Sequence, residues 1–328
     1  MDRLFEFKGY LIQFYAKKSG YVNKTIQFFV AFLTFTFISR NIGFSGIVAN
    51  PLMTIALSLI CTFLPSVMTV VLATVATVIQ LYTVSSGIAI VAGVLFLVMY
   101  ALYIRFTPEK SMILLLVPIA FMLKIPMVIP IVFGLLGGPI SILPITMGTI
   151  IYYMINCVKT YTTLLGTAGE SGVMGQMTTY TQQLLMNREM WCTIIAFAIC
   201  LLLVYNLRRM AVEHAWEIAI VSGALGYLIA MSLGYVTMDV RVSYGAIIIG
   251  DIIAVLIGLI LEFFVFSVDY TRTEYLQFED DEYYYHVKAV PKVSVASPEK
   301  TVKHIHESQK TGVLDVEKIR QKEEELKN

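Results

Sequence analysis

Apolar positions run almost unbroken through the middle of the chain, and polar positions fall in short clusters between them. Stretches such as MTVVLATVATVIQLYTV and GIAIVAGVLFLVMYALYI match the roughly 20 apolar residues that cross a hydrocarbon core. The first predicted span covers Thr25 to Ser39 and ends at Arg40–Asn41. Six apolar segments follow, at about 46–63, 66–83, 87–104, 111–123, 126–137 and 140–158. A polar stretch fills 159–189, and three more spans lie near 190–206, 213–233 and 244–266. The pattern predicts an all-α membrane protein, a polytopic helical bundle of about 8–10 segments, with broken or short helices among them.

The first 24 residues read as an interfacial amphipathic segment. Leu4, Phe7, Leu11, Phe14 and Tyr15 recur at helical spacing, while Arg3, Lys8, Lys17 and Lys18 can reach lipid phosphates. A cytosolic extension of the first span fits the same residues. The segment is not a signal peptide, because charges and aromatics are mixed and no small-residue cleavage site follows.

One stretch contradicts its own hydropathy. KIPMVIPIVFGLLGGPISILPITMG, from Lys124 to Gly148, carries Pro126, Pro130, Pro139 and Pro144 with Gly134, Gly137 and Gly138 between them. A proline removes one backbone donor and frees a carbonyl. In lipid that carbonyl has no partner, so a break persists only against protein or water. Segments 111–123 and 126–137 are each about 20 Å long at 1.5 Å per residue, short of the roughly 30 Å core. They form either a re-entrant hairpin or two short crossings. Pro65 precedes Gly87 by the same interval that separates Pro126 from Gly148. The match suggests two repeat units, 46–104 and 111–158. Each makes an odd number of crossings, so the two would be inverted. Such interrupted segments point to a transporter's midplane site. Packing kinks, and a GLLGG that only permits close helix contact, are the plainer reading.

Composition sharpens the picture. Of 328 residues, 57% are hydrophobic and 14% charged, against about 25% charged in soluble domains. The net charge of +1 offers no basic face for nucleic acid. Cys61, Cys157, Cys192 and Cys200 lie in apolar segments without a CxxC pair, so neither a metal site nor a disulfide framework is expected. Lysine and arginine collect in 1–24, at Arg105 and Lys110, and at Arg208–Arg209, while 160–187 has none. By the positive-inside rule, these clusters and both termini are cytoplasmic and 160–187 is outside. The expected location is the cell membrane, with the lipid bilayer as first partner.

One charge is out of place. Asp251 lies seven residues after Tyr244 in YGAIIIGDIIAVLIGLILEFF, about 10 Å into the helix. A carboxylate at that depth faces a cavity or a partner. Lys124 and Arg241 are its candidate partners. A structural ion pair and a substrate or proton site are both open. Ala246, Gly250, Ala254 and Gly258 recur every four residues beside it, a surface for close approach of another helix. The candidate pathway residues are Asp251, Lys124, Pro65, Pro126, Pro130, Gly137 and Gly138.

No Walker A pattern, HEXXH or GxSxG occurs, so no enzyme and no cofactor are expected. Glu213, His214 and Glu217 open a span where carboxylates suit the helix dipole.

After residue 266 the pattern changes. Thr273–Phe278 and Tyr283–Val290, rich in Tyr, Val and Phe and separated by EDDE, predict a small cytosolic β-hairpin within 267–295. An isolated hairpin is marginal in water, so residues 271–295 are expected to meet a cytosolic loop or a partner protein. Residues 296–328 are charged and read as disordered or weakly helical. This tail and the segment NPLMTIALSLICTFLPSV resemble a family of multi-spanning membrane proteins of Gram-positive anaerobes, some labelled ABC transporter permeases. The resemblance implies a permease subunit working with a separate ATPase. It brings no substrate and no catalytic residue, and no EAA-type coupling motif is present. The alternative is a membrane scaffold or envelope-assembly protein whose tail recruits partners.

Overall fold

The structure is a computed structural model that describes residues 2–42, 50–107, 110–165, 172–210, 212–238, 244–265, 274–279 and 284–289. All of these lie in one compact unit, 1–293. The predicted partner residue Arg241, parts of the 267–295 segment and the whole 296–328 tail lie outside the described residues.

The fold is the all-α bundle that the apolar pattern predicts. Its helices are α1 (Asp2–Ile42), α2 (Pro51–Phe63), α3 (Ser66–Val84), α4 (Ser86–Phe106), α5 (Ser111–Met122) and α6 (Val128–Leu136). After a short 3-10 turn at Pro139–Ser141 come α7 (Ile142–Leu165), α8 (Val173–Leu185), α9 (Arg188–Leu207), α10 (Ala215–Met238) and α11 (Tyr244–Val265). Seven helical stretches are long and apolar enough to cross a membrane: Glu6–Ile42, Ser66–Val84, Ser86–Tyr103, Pro139–Val158, Arg188–Leu207, Ala215–Thr237 and Tyr244–Val265. Two strands, β1 (Glu274–Glu279) and β2 (Tyr284–Ala289), pair antiparallel with Glu274 opposite Ala289.

The prolines that look like breakers mostly start helices. Pro51 opens α2, Pro65 is the N-cap of α3, Pro139 opens the 3-10 turn, and Pro130 and Pro144 sit in the first turns of α6 and α7. First-turn N–H groups have no intrahelical partner, so proline costs little there. Pro118, inside α5, is the exception. At the α2–α3 break the freed carbonyls are satisfied from within: the Gln27 amide of α1 donates to Cys61 O and Leu64 O, each at 2.7 Å. A bend in α1 falls at Lys18, whose φ of −128° and ψ of 29° leave the helical region.

Pairwise contacts sort the helix ends onto two faces. On the near face, Lys110, just before α5, donates to Ser141 Oγ at 2.7 Å. Arg208, just after α9, donates to Gly137 O at 2.6 Å. The start of α5 and the end of α6 therefore lie on one face. The 111–137 stretch is a helical hairpin that returns to the face it left, as both a re-entrant hairpin and a pair of short crossings require. Lys8 of α1 donates to Phe263 O, in the last turns of α11, at 2.6 Å. On the far face, the α3–α4 junction meets α8 through Ser85 and Gln176 (2.5 Å), and Tyr180 of α8 donates to Met154 O of α7 (2.8 Å).

The two proposed repeat units begin alike and then diverge. α2 and α5 have 13 and 12 residues, but α3 runs for 19 where α6 stops after 9. The stop is Gly137–Gly138–Pro139. A Cβ on Gly137 would stand 2.7 Å from both Phe133 O and Ser141 Oγ, so only glycine allows the chain to fold back so tightly there.

Candidate functional site

The site grows from the tip of the hairpin. α5 ends in a Schellman-type cap, with Ile125 N donating to Ala120 O and Lys124 N to Phe121 O, each at 3.0 Å. That motif requires a left-handed residue after the helix, usually glycine. Here it is Lys124, with φ of 61°. The cap turns the chain into Pro126 and so into α6. α5 is about 18 Å long and α6 about 14 Å at 1.5 Å per residue, both short of the roughly 30 Å hydrocarbon core.

α11 meets the tip from the opposite direction. Its small-residue stripe makes this possible: a Cβ on Gly250 would lie 3.5 Å from Lys124 O, and one on Gly258 would lie 3.0 Å from Ile220 and 3.3 Å from Ile131. Asp251 then falls beside the tip. About 10 Å of α11 above it and about 18 Å of α5 below the tip add up to roughly one hydrocarbon core.

A cavity of about 260 Å³ lies between tip and helix, lined by Lys124, Pro126 and Met127 of the tip, Phe121 of α5, Tyr227 of α10 and Asp251 of α11. Asp251 is only 7% exposed, and among the described residues neither carboxylate oxygen has a hydrogen-bond partner. Lys124 borders the same cavity from an exposed position, without an ion pair to Asp251. The structure thus brings Asp251, Lys124 and Pro126 together. Pro130 is buried in the first turn of α6, and Gly137 and Gly138 are at the foot of the hairpin. Pro65 is elsewhere, at the α2–α3 break beside Gln27.

Ring contacts connect this cavity with the first half of the bundle. Phe37, Tyr152, Phe121, Phe197 and Tyr227 follow one another at centroid distances of 6.0, 4.2, 5.9 and 5.7 Å. Sequence reasoning missed Tyr227, Phe121 and the anchoring pairs at the hairpin foot. An aromatic in an apolar run carries no signal that it lines a site. At the foot, outside the membrane-spanning segments, partial burial holds the Lys110 ammonium below the usual lysine pKa range.

Fold and composition together define an all-α membrane protein. Comparison of the chain with protein-family models, curated proteins and solved structures finds no match.

Proposed function

We propose that this chain is a membrane transport component whose Asp251 binds a cation or proton during the cycle. The carrying observation is a carboxylate that is buried, without a hydrogen-bond partner among the described residues, and set against a cavity at the tip of the α5–α6 hairpin. Leaving a buried carboxylate unpaired is costly, and intramembrane carboxylates mark ion and substrate paths. The reading places the chain in the cell membrane with its near face cytoplasmic. That face gathers Arg105, Lys110, Arg208 and Arg209 at helix ends, as the positive-inside rule asks. With no nucleotide-binding motif of its own, a permease subunit would draw on a separate ATPase, as the family resemblance implies; no enzymatic role is proposed.

The test uses proteoliposomes with an entrapped pH-sensitive or sodium-sensitive dye and an imposed gradient. Wild type is expected to dissipate the gradient, and Asp251→Asn, which keeps the shape, is expected to lose that flux. Equal flux in both, or none in either, would overturn the proposal. A scaffold is the second reading, favoured by Tyr284, Tyr285 and Val287 standing exposed on β2. It predicts that deleting 271–295 dissolves a complex retained by wild type in mild detergent. Unchanged complexes would count against it.

A further inference from the structure

Asp251 borders a second cavity. On the outer side of α10 and α11 lies a groove of about 330 Å³ that contains Asp251 and otherwise only aliphatic side chains, among them Val221, Leu225, Ile248, Ile252 and Leu256. Those five are 46–56% exposed although they lie on spanning helices, so the groove opens toward the acyl chains. Asp251 is the one polar residue among those lining the groove and also lines the inner cavity at the hairpin tip, with its carboxylate oxygens buried beneath the aliphatic surface.

The chemistry of the groove narrows its occupant. A neutral acyl chain would satisfy the aliphatic walls and leave the carboxylate unpaired. A small hard cation needs several oxygen ligands, and the groove lining offers only the Asp251 carboxylate. An organic cation with apolar substituents satisfies both: its positive centre pairs with the carboxylate and its substituents fill the aliphatic walls. We propose that the α10–α11 groove is a lateral binding site for amphiphilic organic cations, reached from the bilayer and ending on Asp251. The proposal rests on the reading of Asp251 as a cation site and adds the class of ligand and its route.

The probe is radiolabelled tetraphenylphosphonium, measured by equilibrium dialysis on the full chain in nanodiscs. Saturable binding of one probe per chain is expected, weakened at least tenfold in Asp251→Asn. Filling the groove from its exposed rim, with Leu225→Trp or separately Ile252→Trp, is expected to weaken binding at least tenfold. Filling the inner cavity with Ala246→Phe is expected to leave it within twofold. Two groove variants at exposed positions guard against one misfolded protein. If Ala246→Phe abolishes binding and the groove variants do not, the route is internal and the lateral site is overturned, while the cation reading stands. If nothing binds although Asp251-dependent flux is present in proteoliposomes, the ligand class is wrong. Efficient disulfide dimers through Ile252→Cys, with the probe excluded, would show a second copy filling the groove and would also overturn the proposal.

Discussion

The hairpin's position depends on one side chain, which makes it measurable. Val204 of α9 is fully buried and wedged between two glycines. A Cβ on Gly134 of α6 would stand 2.8 Å from both Val204 Cβ and Cγ1, and one on Gly223 of α10 would overlap Val204 Cγ2. Carbon atoms prefer about 3.5–4.0 Å, so Gly134→Ala requires α6 to retreat by about 0.7 Å or more. Val204 cannot turn away, because α10 occupies the other side and a β-branched side chain has few rotamers. Overpacking of this kind costs about 1–3 kcal/mol. A mid-helix Gly→Ala change also gains roughly 0.8–1.0 kcal/mol in propensity. Gly93→Ala in α4 isolates that gain, since nothing lies within 4 Å of its Cβ. The two variants should therefore differ by about 1–3 kcal/mol, which is some 2–12 °C in Tm on the scale of domains of 150–250 residues. All four cysteines are free and buried, so a thiol-reactive fluorescent dye reports unfolding directly. Val204→Ala alone opens a cavity and destabilises, but combined with Gly134→Ala it should recover most of the loss, because the new methyl enters the vacated space. Equal Tm for Gly93→Ala and Gly134→Ala would refute the wedge. So would a double variant no better than the sum of its parts.

Two further predictions concern the faces and the tip. With the native cysteines buried, a cysteine placed at exposed Met174 of α8 should react with an impermeant reagent from outside, and one at exposed Met210, just after α9, should not; labelling of Met210→Cys from outside would invert the assigned faces. Lys124 occupies a left-handed position at φ 61°, which costs a non-glycine residue about 1–2 kcal/mol, so Lys124→Gly should raise Tm. A lower Tm would mean that the ammonium has a stabilising partner.

Much of the bundle was legible because crossing a membrane leaves a plain mark. Apolar runs of about 20 residues locate α3, α4, α9, α10 and α11, and a lone carboxylate in α11 announces itself against its neighbours. The Tyr-rich run with EDDE likewise announced the hairpin of β1 and β2. What stayed hidden depends on partners distant in sequence. That the two ends of 111–137 share a face is decided by Lys110 with Ser141 and by Arg208 with Gly137, pairs 31 and 71 residues apart. The carbonyls freed before Pro65 are met by Gln27, 34 and 37 residues away. Nothing local to Gln27 advertises that task. The cap at Lys124 was invisible for the opposite reason, since its bonds are local but its residue type argues against the conformation it adopts.

The hairpin is a cantilever. Its two ends are clamped at the near face by Lys110 and Arg208, while its tip, held only by its own cap and by packing, lies beside Asp251. A beam about 18 Å long converts a tilt of about 5° at the clamp into roughly 1.5 Å at the free end. That stroke is comparable to the difference between contact and separation of two side chains. A force applied at the near-face side of α5 or α9 is thereby geared up at the tip, and the stiffness of the clamp, rather than of the tip, sets how far the end travels.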